Sequence, residues 1–266
     1  MNCKNCHTEL HEHDDYCRNC GAKVIRKRLT LKNLFEHLSE TFFNYDNKLL
    51  RTVIQLFKEP EDVIVSYING VRKKYVNPIS LFGLALTLSG LYILILNKYF
   101  PEVFDFSSLT VKGQEEFQKK NMIFVQEYQS IIMMLYVPLY ALMAKVVFFG
   151  KKQFNYTELL VVFMYIQAQI SIVSSIAIIL LGVLGLANSI VGMLTIPLMI
   201  LYAAYCLKRI YKLSLLDIIV RTILFGAVLF VVFIILTILL MVVMYFNGDL
   251  EQMIEAQRAA KEAANT

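Results

Sequence analysis

Five long apolar runs dominate the chain from residue 79 onward: roughly Ile79–Leu96, Ile131–Phe149, Leu159–Leu181, Ser189–Leu207 and Thr222–Phe246. A hydrocarbon core about 30 Å thick takes about 20 apolar residues of helix to cross, and these runs have that length. Gly182–Asn188 is short and uncharged, so the third and fourth runs form a tight hairpin. Buried helices of a soluble core would not supply five such runs in 266 residues. The pattern predicts an all-α polytopic membrane protein with five transmembrane helices over 79–246 and a polar tail over 247–266.

Ahead of the spans the period changes to that of amphipathic helices. Leu31, Leu34, Phe35, Leu38 and Phe42 share one helical face; Leu49, Leu50, Val53, Ile54 and Phe57 make a second, ended by Pro60. Pro60 at a first helical position, with Glu61 and Asp62 near the positive end of the dipole, opens a third helix. Asn69-Gly70 is a fitting stop. Residues 26–78 therefore read as basic amphipathic helices whose apolar faces suit either the membrane interface or the ends of the spans. Arg72-Lys73-Lys74 stands just before the first span. The cluster fits anionic headgroups, at about 1 kcal/mol per charge, and equally satisfies the positive-inside rule.

Composition agrees: 57% of residues are hydrophobic, 18% are charged, and mean hydropathy is +0.55. The net charge of +5 matters through its placement. Thirteen of the 26 basic residues precede the first span, and Lys145, Lys151, Lys152, Lys208, Arg209, Lys212 and Arg221 fall on the same side. The opposite loop, Asn97–Ser130, holds four. No apolar signal segment follows Met1, so the N-terminus is expected in the cytoplasm and the C-terminus outside. Lys145 and Arg221 lie inside apolar runs near their cytoplasmic ends, where both can snorkel to the headgroups. Glu36, Glu40 and Asp46 interrupt the basic surface, which disfavours nucleic acid.

Candidate metal chemistry sits at the N-terminus. Cys3-Lys-Asn-Cys6 and Cys17-Arg-Asn-Cys20-Gly21 are two C-x-x-C pairs, the pattern of a zinc ribbon over residues 1–25. Four thiolates about 2.3 Å from one Zn²⁺ make a closed structural site, and so short a segment needs the metal to fold. Gly21 suits the positive φ of a knuckle, while His7 stands at the equivalent place of the first pair. Cys3-x-x-Cys6-His7 also spells a c-type haem attachment site, but that chemistry needs an exported N-terminus. A thioredoxin-like pair needs a βαβ context that is lacking here. Four unligated cysteines is the plain alternative, and His7, His11 or His13 can stand in for a thiolate. Cys206 reads as an apolar filler within the fourth span.

The paired cysteines, Leu56-Phe57-Lys58-Glu59-Pro60 and Tyr67-Ile68-Asn69-Gly70-Val71-Arg72-Lys73-Lys74-Tyr75-Val76-Asn77-Pro78 resemble the bacterial membrane family catalogued as domain of unknown function 3667. The resemblance covers roughly residues 1–80 and implies a bacterial inner-membrane protein with no assigned activity. The five-span layout is also similar to Yip1-type membrane proteins, linked to membrane trafficking and organisation. Neither resemblance carries over a catalytic residue.

The second and third spans overlay the fourth and fifth at an offset of 59 residues: Pro138 on Pro197, Ala144 on Ala203, Glu158 on Asp217. Two proline kinks at matched depth leave room for a cavity between the hairpins, with Pro138, Gln167, Gln169 and Pro197 as its candidate lining. Coincidence and ordinary capping explain the same match. Gln167, Ser171, Ser174 and Ser175 make a polar stripe that serves either a wet cavity or packing between helices. Gly83, Thr87 and Gly90 suit close helix approach. No Asp, Glu or His lies at mid-span, and H-E-x-x-H, G-x-S-x-G and P-loop patterns are missing. The outer loop's Phe117, Phe124 and Tyr128 form an amphipathic run whose carboxylates Glu115, Glu116 and Glu127 pair with no base. The sequence thus points to a non-enzymatic membrane protein that recruits or organises cytoplasmic partners, with a transporter or lipid-handling protein as the alternative. Its oligomeric state stays open.

Overall fold

The computed structural model describes residues 2–22, 24, 48–101, 115–151, 153–186 and 189–247, and the chain divides into two compact units, Met1–Lys48 and Leu49–Thr266. The apolar face expected over Leu31–Phe42 and the tail beyond Asn247 lie outside the described residues. The second unit is helical: α1 (Lys48–Lys58), α2 (Pro60–Ile68), α3 (Pro78–Tyr99), α4 (Glu115–Glu127), α5 (Gln129–Val147), α6 (Tyr156–Val183), α7 (Ser189–Tyr211) and α8 (Leu215–Asn247). Five of these, α3 and α5 to α8, are long and apolar enough to cross a membrane.

Helix α6 is the post of the bundle. It packs along α3 and also touches α2, α5 and α7, whereas α8 meets only α5 and α7 among the principal helix pairs. Leu159, Val162, Tyr165, Ile166 and Ala168 are all buried on it. The polar stripe joins helices: Ser171 Oγ donates to the Ala85 carbonyl of α3 (3.5 Å), and Ser175 is buried. Ser89 Oγ bonds back to Leu86 O (2.8 Å), and Ser130 Oγ reaches the same carbonyl from α5 (3.4 Å). The close approach expected at Gly83 lies instead at Gly182, where the Phe100 ring stands 3.0 Å from the place a Cβ would take.

At 28 residues α6 is about 42 Å long, more than a bilayer core requires. Tyr165 and Gln169, in its first half, meet α2 and α1. Pro60 cannot continue α1, so α2 begins after a single residue, Glu59. Leu56, Val63 and Ile64 from this pair are fully buried in the same core as Tyr165 and Ile210. Helix α1 packs on the spans through Thr52 and Leu56, whereas Leu50, Ile54 and Phe57 of its expected apolar face are exposed. Gly70, at φ +95°, reverses the chain towards α3 in a conformation that favours glycine. Asn77 caps α3 through a bond from Ser80 N–H (2.8 Å).

The last carbonyls of a helix lack intrahelical donors, and those of α1 are met by side chains of the spans. Tyr202 Oη donates to Leu56 O (3.1 Å), and Tyr205 Oη lies 3.0 Å from both Phe57 O and Lys58 O. Tyr165 Oη donates to Val76 O (2.8 Å), and Gln169 Nε2 to Val53 O (2.9 Å). Val76 N–H donates in turn to Thr52 Oγ1 (3.1 Å). Arg209 Nε holds both carboxylate oxygens of Glu61 (2.9 and 3.0 Å).

Leu56→Ala should therefore cost about 2–5 kcal/mol of stability, read as a lower unfolding temperature in detergent. Ile54→Ala, at a side chain 42% exposed, should stay within about 0.5 kcal/mol. Equal effects would mean that α1 is not docked by this face.

Candidate functional site

The described residues of the first unit form two backbone knuckles of the same design. Cys3 N–H donates to Thr8 O (2.9 Å) and His7 N–H to Cys3 O (2.9 Å). In the second, Cys17 N–H donates to Ala22 O and Gly21 N–H to Cys17 O, both at 2.8 Å. Gly21 takes φ +70° and His7 takes φ +59°, so histidine accepts the left-handed place that glycine fills in the second knuckle. Asn2 and Glu9 form an isolated antiparallel bridge.

These knuckles bring Cys3, Cys6, Cys17 and Cys20 together, with all four sulfurs within 4.8 Å of one another. Cys3 Sγ is 3.7 Å from Cys20 Sγ, and Cys6 Sγ is 3.5 Å from Cys17 Sγ. A tetrahedron with sulfurs 2.3 Å from its centre has an edge of about 3.8 Å, whereas a disulfide bond is about 2.0 Å. The donor set and its spacing fit one tetrahedral metal ion, and among the described residues no imidazole belongs to the cluster. Among the described residues of this unit Leu10, Cys3 and Cys17 are the buried apolar ones, and a knot of about 20 residues has too small a core to fold without a staple. Hydrogen bonds from the Thr8 side chain and backbone hold the Cys6 thiol down to about 6, and a backbone bond from Ala22 lowers that of Cys20. Thiolates, the ligating form, are thus favoured at two of the four positions.

The basic cluster before α3 is divided by the fold. Lys74 Nζ pairs with Asp62 (2.7 Å), and the Tyr75 hydroxyl donates to the same carboxylate. Burial opposes ionisation of Asp62, yet the Lys74 and Tyr75 hydrogen bonds hold its carboxyl below the usual range. Lys74 is therefore engaged within the protein, because the turn at Gly70 returns it to the first turn of α2. Arg72 lies 5.7 Å over the Tyr67 ring, and both Arg72 and Lys73 are exposed.

A cavity of about 380 Å³ lies among α5, α6, α7 and α8. Gln167 is on its wall. Gln169 is not: it is buried on the side of α6 that faces α1, with Oε1 left without a partner. Pro138 and Pro197 also miss the wall, which takes Tyr140 and Met199 instead. In each case the expected residue stands two positions from a lining one, about 200° around a helix.

The offset of 59 residues orders this cavity. Asn155 and Glu158 form a capping box at the start of α6 (2.9 and 2.8 Å); at the matching place before α8 the Ser214 hydroxyl accepts from Asp217 N–H (3.1 Å) and donates to the Asp217 carboxylate (2.9 Å). Tyr140 and Met199, Phe148 and Leu207, Phe163 and Thr222 line the cavity as matched pairs. So do Ile166 and Phe225, Gln167 and Gly226, Ile170 and Leu229. Every lining residue of the α5–α6 hairpin has its counterpart on the wall from α7–α8. One cation breaks the symmetry, for Arg221 stands where the first hairpin has Val162. Arg221 does not simply snorkel: Nη1 donates to Val147 O at the end of α5 (2.6 Å), and the guanidinium lies 4.9 Å over Phe148.

Residues 46–90 match the family described as Protein of unknown function (DUF3667). That stretch runs through α1, α2, the Gly70 turn and the first half of α3. No curated protein and no solved structure matches the chain, and the Yip1-type likeness has no counterpart among these comparisons.

The full-length protein should carry about one metal ion per chain by elemental analysis after desalting, and Cys17→Ser should remove it. His7→Gly, relieving a left-handed non-glycine residue, should tighten metal binding roughly fivefold against a chelator, about 1 kcal/mol. Metal retained by Cys17→Ser would place the ion elsewhere.

Proposed function

We propose that this chain is a membrane-anchored docking protein: zinc fixes the N-terminal cysteine module, which recruits or organises partners on the cytoplasmic face of a bacterial inner membrane. The observation that carries the reading is the quartet of sulfurs at tetrahedral spacing, beside which Leu10 is the one other buried apolar side chain among the described residues of that unit. Such a module gains a rigid surface from the ion and no catalytic position, since all four ligands come from protein. Zinc is the favoured ion because four thiolates in a reducing compartment select it among available metals. The distribution of Lys and Arg puts the N-terminus in the cytoplasm and the C-terminus outside. Arg72 and Lys73, exposed before α3, supply headgroup contact on that face.

The cavity between the matched hairpins favours a second reading, a protein that handles lipid or another apolar solute within the bilayer.

Site-specific crosslinking in intact cells separates the two. A crosslinked partner should disappear both on deletion of residues 1–24 and in Cys17→Ser, while membrane insertion is unchanged. Partners retained by both variants would remove the docking reading.

A further inference from the structure

We propose that the cavity of α5–α8 holds one acyl chain of a glycerophospholipid with a zwitterionic, phosphoethanolamine-type headgroup, its phosphate on Arg221 and its ammonium at Asp217. The inference deepens the second reading of function and does not depend on the docking module.

The wall of the cavity is apolar apart from Gln167, Thr222 and Arg221. The cavity is half open, with Ile200, Ile223 and Leu229 exposed at its edge, and inside a bilayer the available filler is hydrocarbon. A volume of about 380 Å³ takes roughly a dozen groups of the size of water at about 30 Å³ each, which is close to one acyl chain.

Arg221 also lines a second recess, of about 350 Å³, with Val147, Gly150, Leu216, Asp217 and Leu224. The guanidinium thus borders both the apolar chamber and a recess in which Asp217 is the other charged group among mostly apolar side chains. Nη1 is taken by Val147 O, and among the described residues no carboxylate forms an ion pair with it. Asp217, one turn away, is turned to the Ser214 hydroxyl that caps α8. The cation and the carboxylate share the recess, so its charge complements a headgroup carrying both signs.

Their order agrees as well. Arg221 lies on the side of the apolar chamber and Asp217 nearer the start of α8, about 6 Å apart along the axis. A phospholipid with an ethanolamine head presents chain, phosphate and ammonium in that sequence. A simple anion would meet Asp217 as a like charge. The first hairpin, with Val162 fully buried in the core at the matching place, cannot make this site.

The test is native mass spectrometry of the full-length protein in detergent, delipidated and then titrated with phosphatidylethanolamine, phosphatidylglycerol or oleate. One phosphatidylethanolamine per chain should bind ahead of the other two. Arg221→Gln should weaken it at least tenfold and Arg221→Lys less. Asp217→Asn should shift preference towards phosphatidylglycerol. Gly226→Phe fills the cavity from a position where a Cβ meets nothing within 4 Å, so the lipid should be lost with the unfolding temperature kept. Retention by both Arg221→Gln and Gly226→Phe overturns the site, as does equal binding of oleate or a lipid-free dimer that occupies the groove. A bound lipid that never exchanges with phosphatidylethanolamine vesicles leaves the site standing and removes the lipid-handling reading.

Discussion

The end of α1 governs this structure. A helix stopped by proline leaves its last carbonyls without donors, and burying them bare costs about 1–3 kcal/mol each. Here Tyr202 and Tyr205 supply the missing donors from α7, and Gln169 and Tyr165 hold the neighbouring backbone from α6. The short pair α1–α2 becomes part of the bundle on that account. Arg209 and Glu61 fasten the same junction, with burial opposing ionisation of Glu61 and the Arg209 hydrogen bond holding its carboxyl down. The family match over residues 46–90 falls on this platform and on the first half of α3.

Beyond the platform, the bundle has a rigid half and an open half. Helix α6 is buried by α3 on one side, which closes that half with small and hydroxyl-bearing side chains. No comparable helix covers α8 among the described residues; Ile218 is buried near its start, and its most apolar stretch has no buried residue. The two hairpins overlay in the positions of their caps and cavity wall, yet the paired residues mostly differ, and Arg221 stands against Val162.

Much of this was legible in the sequence. Run length gave the five spans within a few residues, and Pro60, Asn69-Gly70 and the cysteine spacing gave turns with a mechanism behind each. What escaped was the direction of side chains. Gln167 and Gln169 both read as candidate lining, but residues two apart point to nearly opposite sides of a helix, and only packing decides which side is empty. Tyr202 and Tyr205 carried no signal, because tyrosine near a span end reads as an interface residue. Arg221 was explained by its depth alone; its position in the repeat, opposite a valine, was the available clue. Helix α8 began earlier than hydropathy suggested, since a cap at Ser214 and Asp217 starts it before its apolar run.

The central claim is that α1 is locked to the spans through its carbonyls and does not float on the membrane surface. Hydrogen exchange of the protein in lipid nanodiscs measures this directly. Amides of residues 48–58 should exchange about as slowly as those of α6, and the pair Tyr202→Phe and Tyr205→Phe should speed them roughly tenfold or more, about 1 kcal/mol per lost bond. Fast exchange of α1 in the unaltered protein, with no response to the two substitutions, would contradict the account.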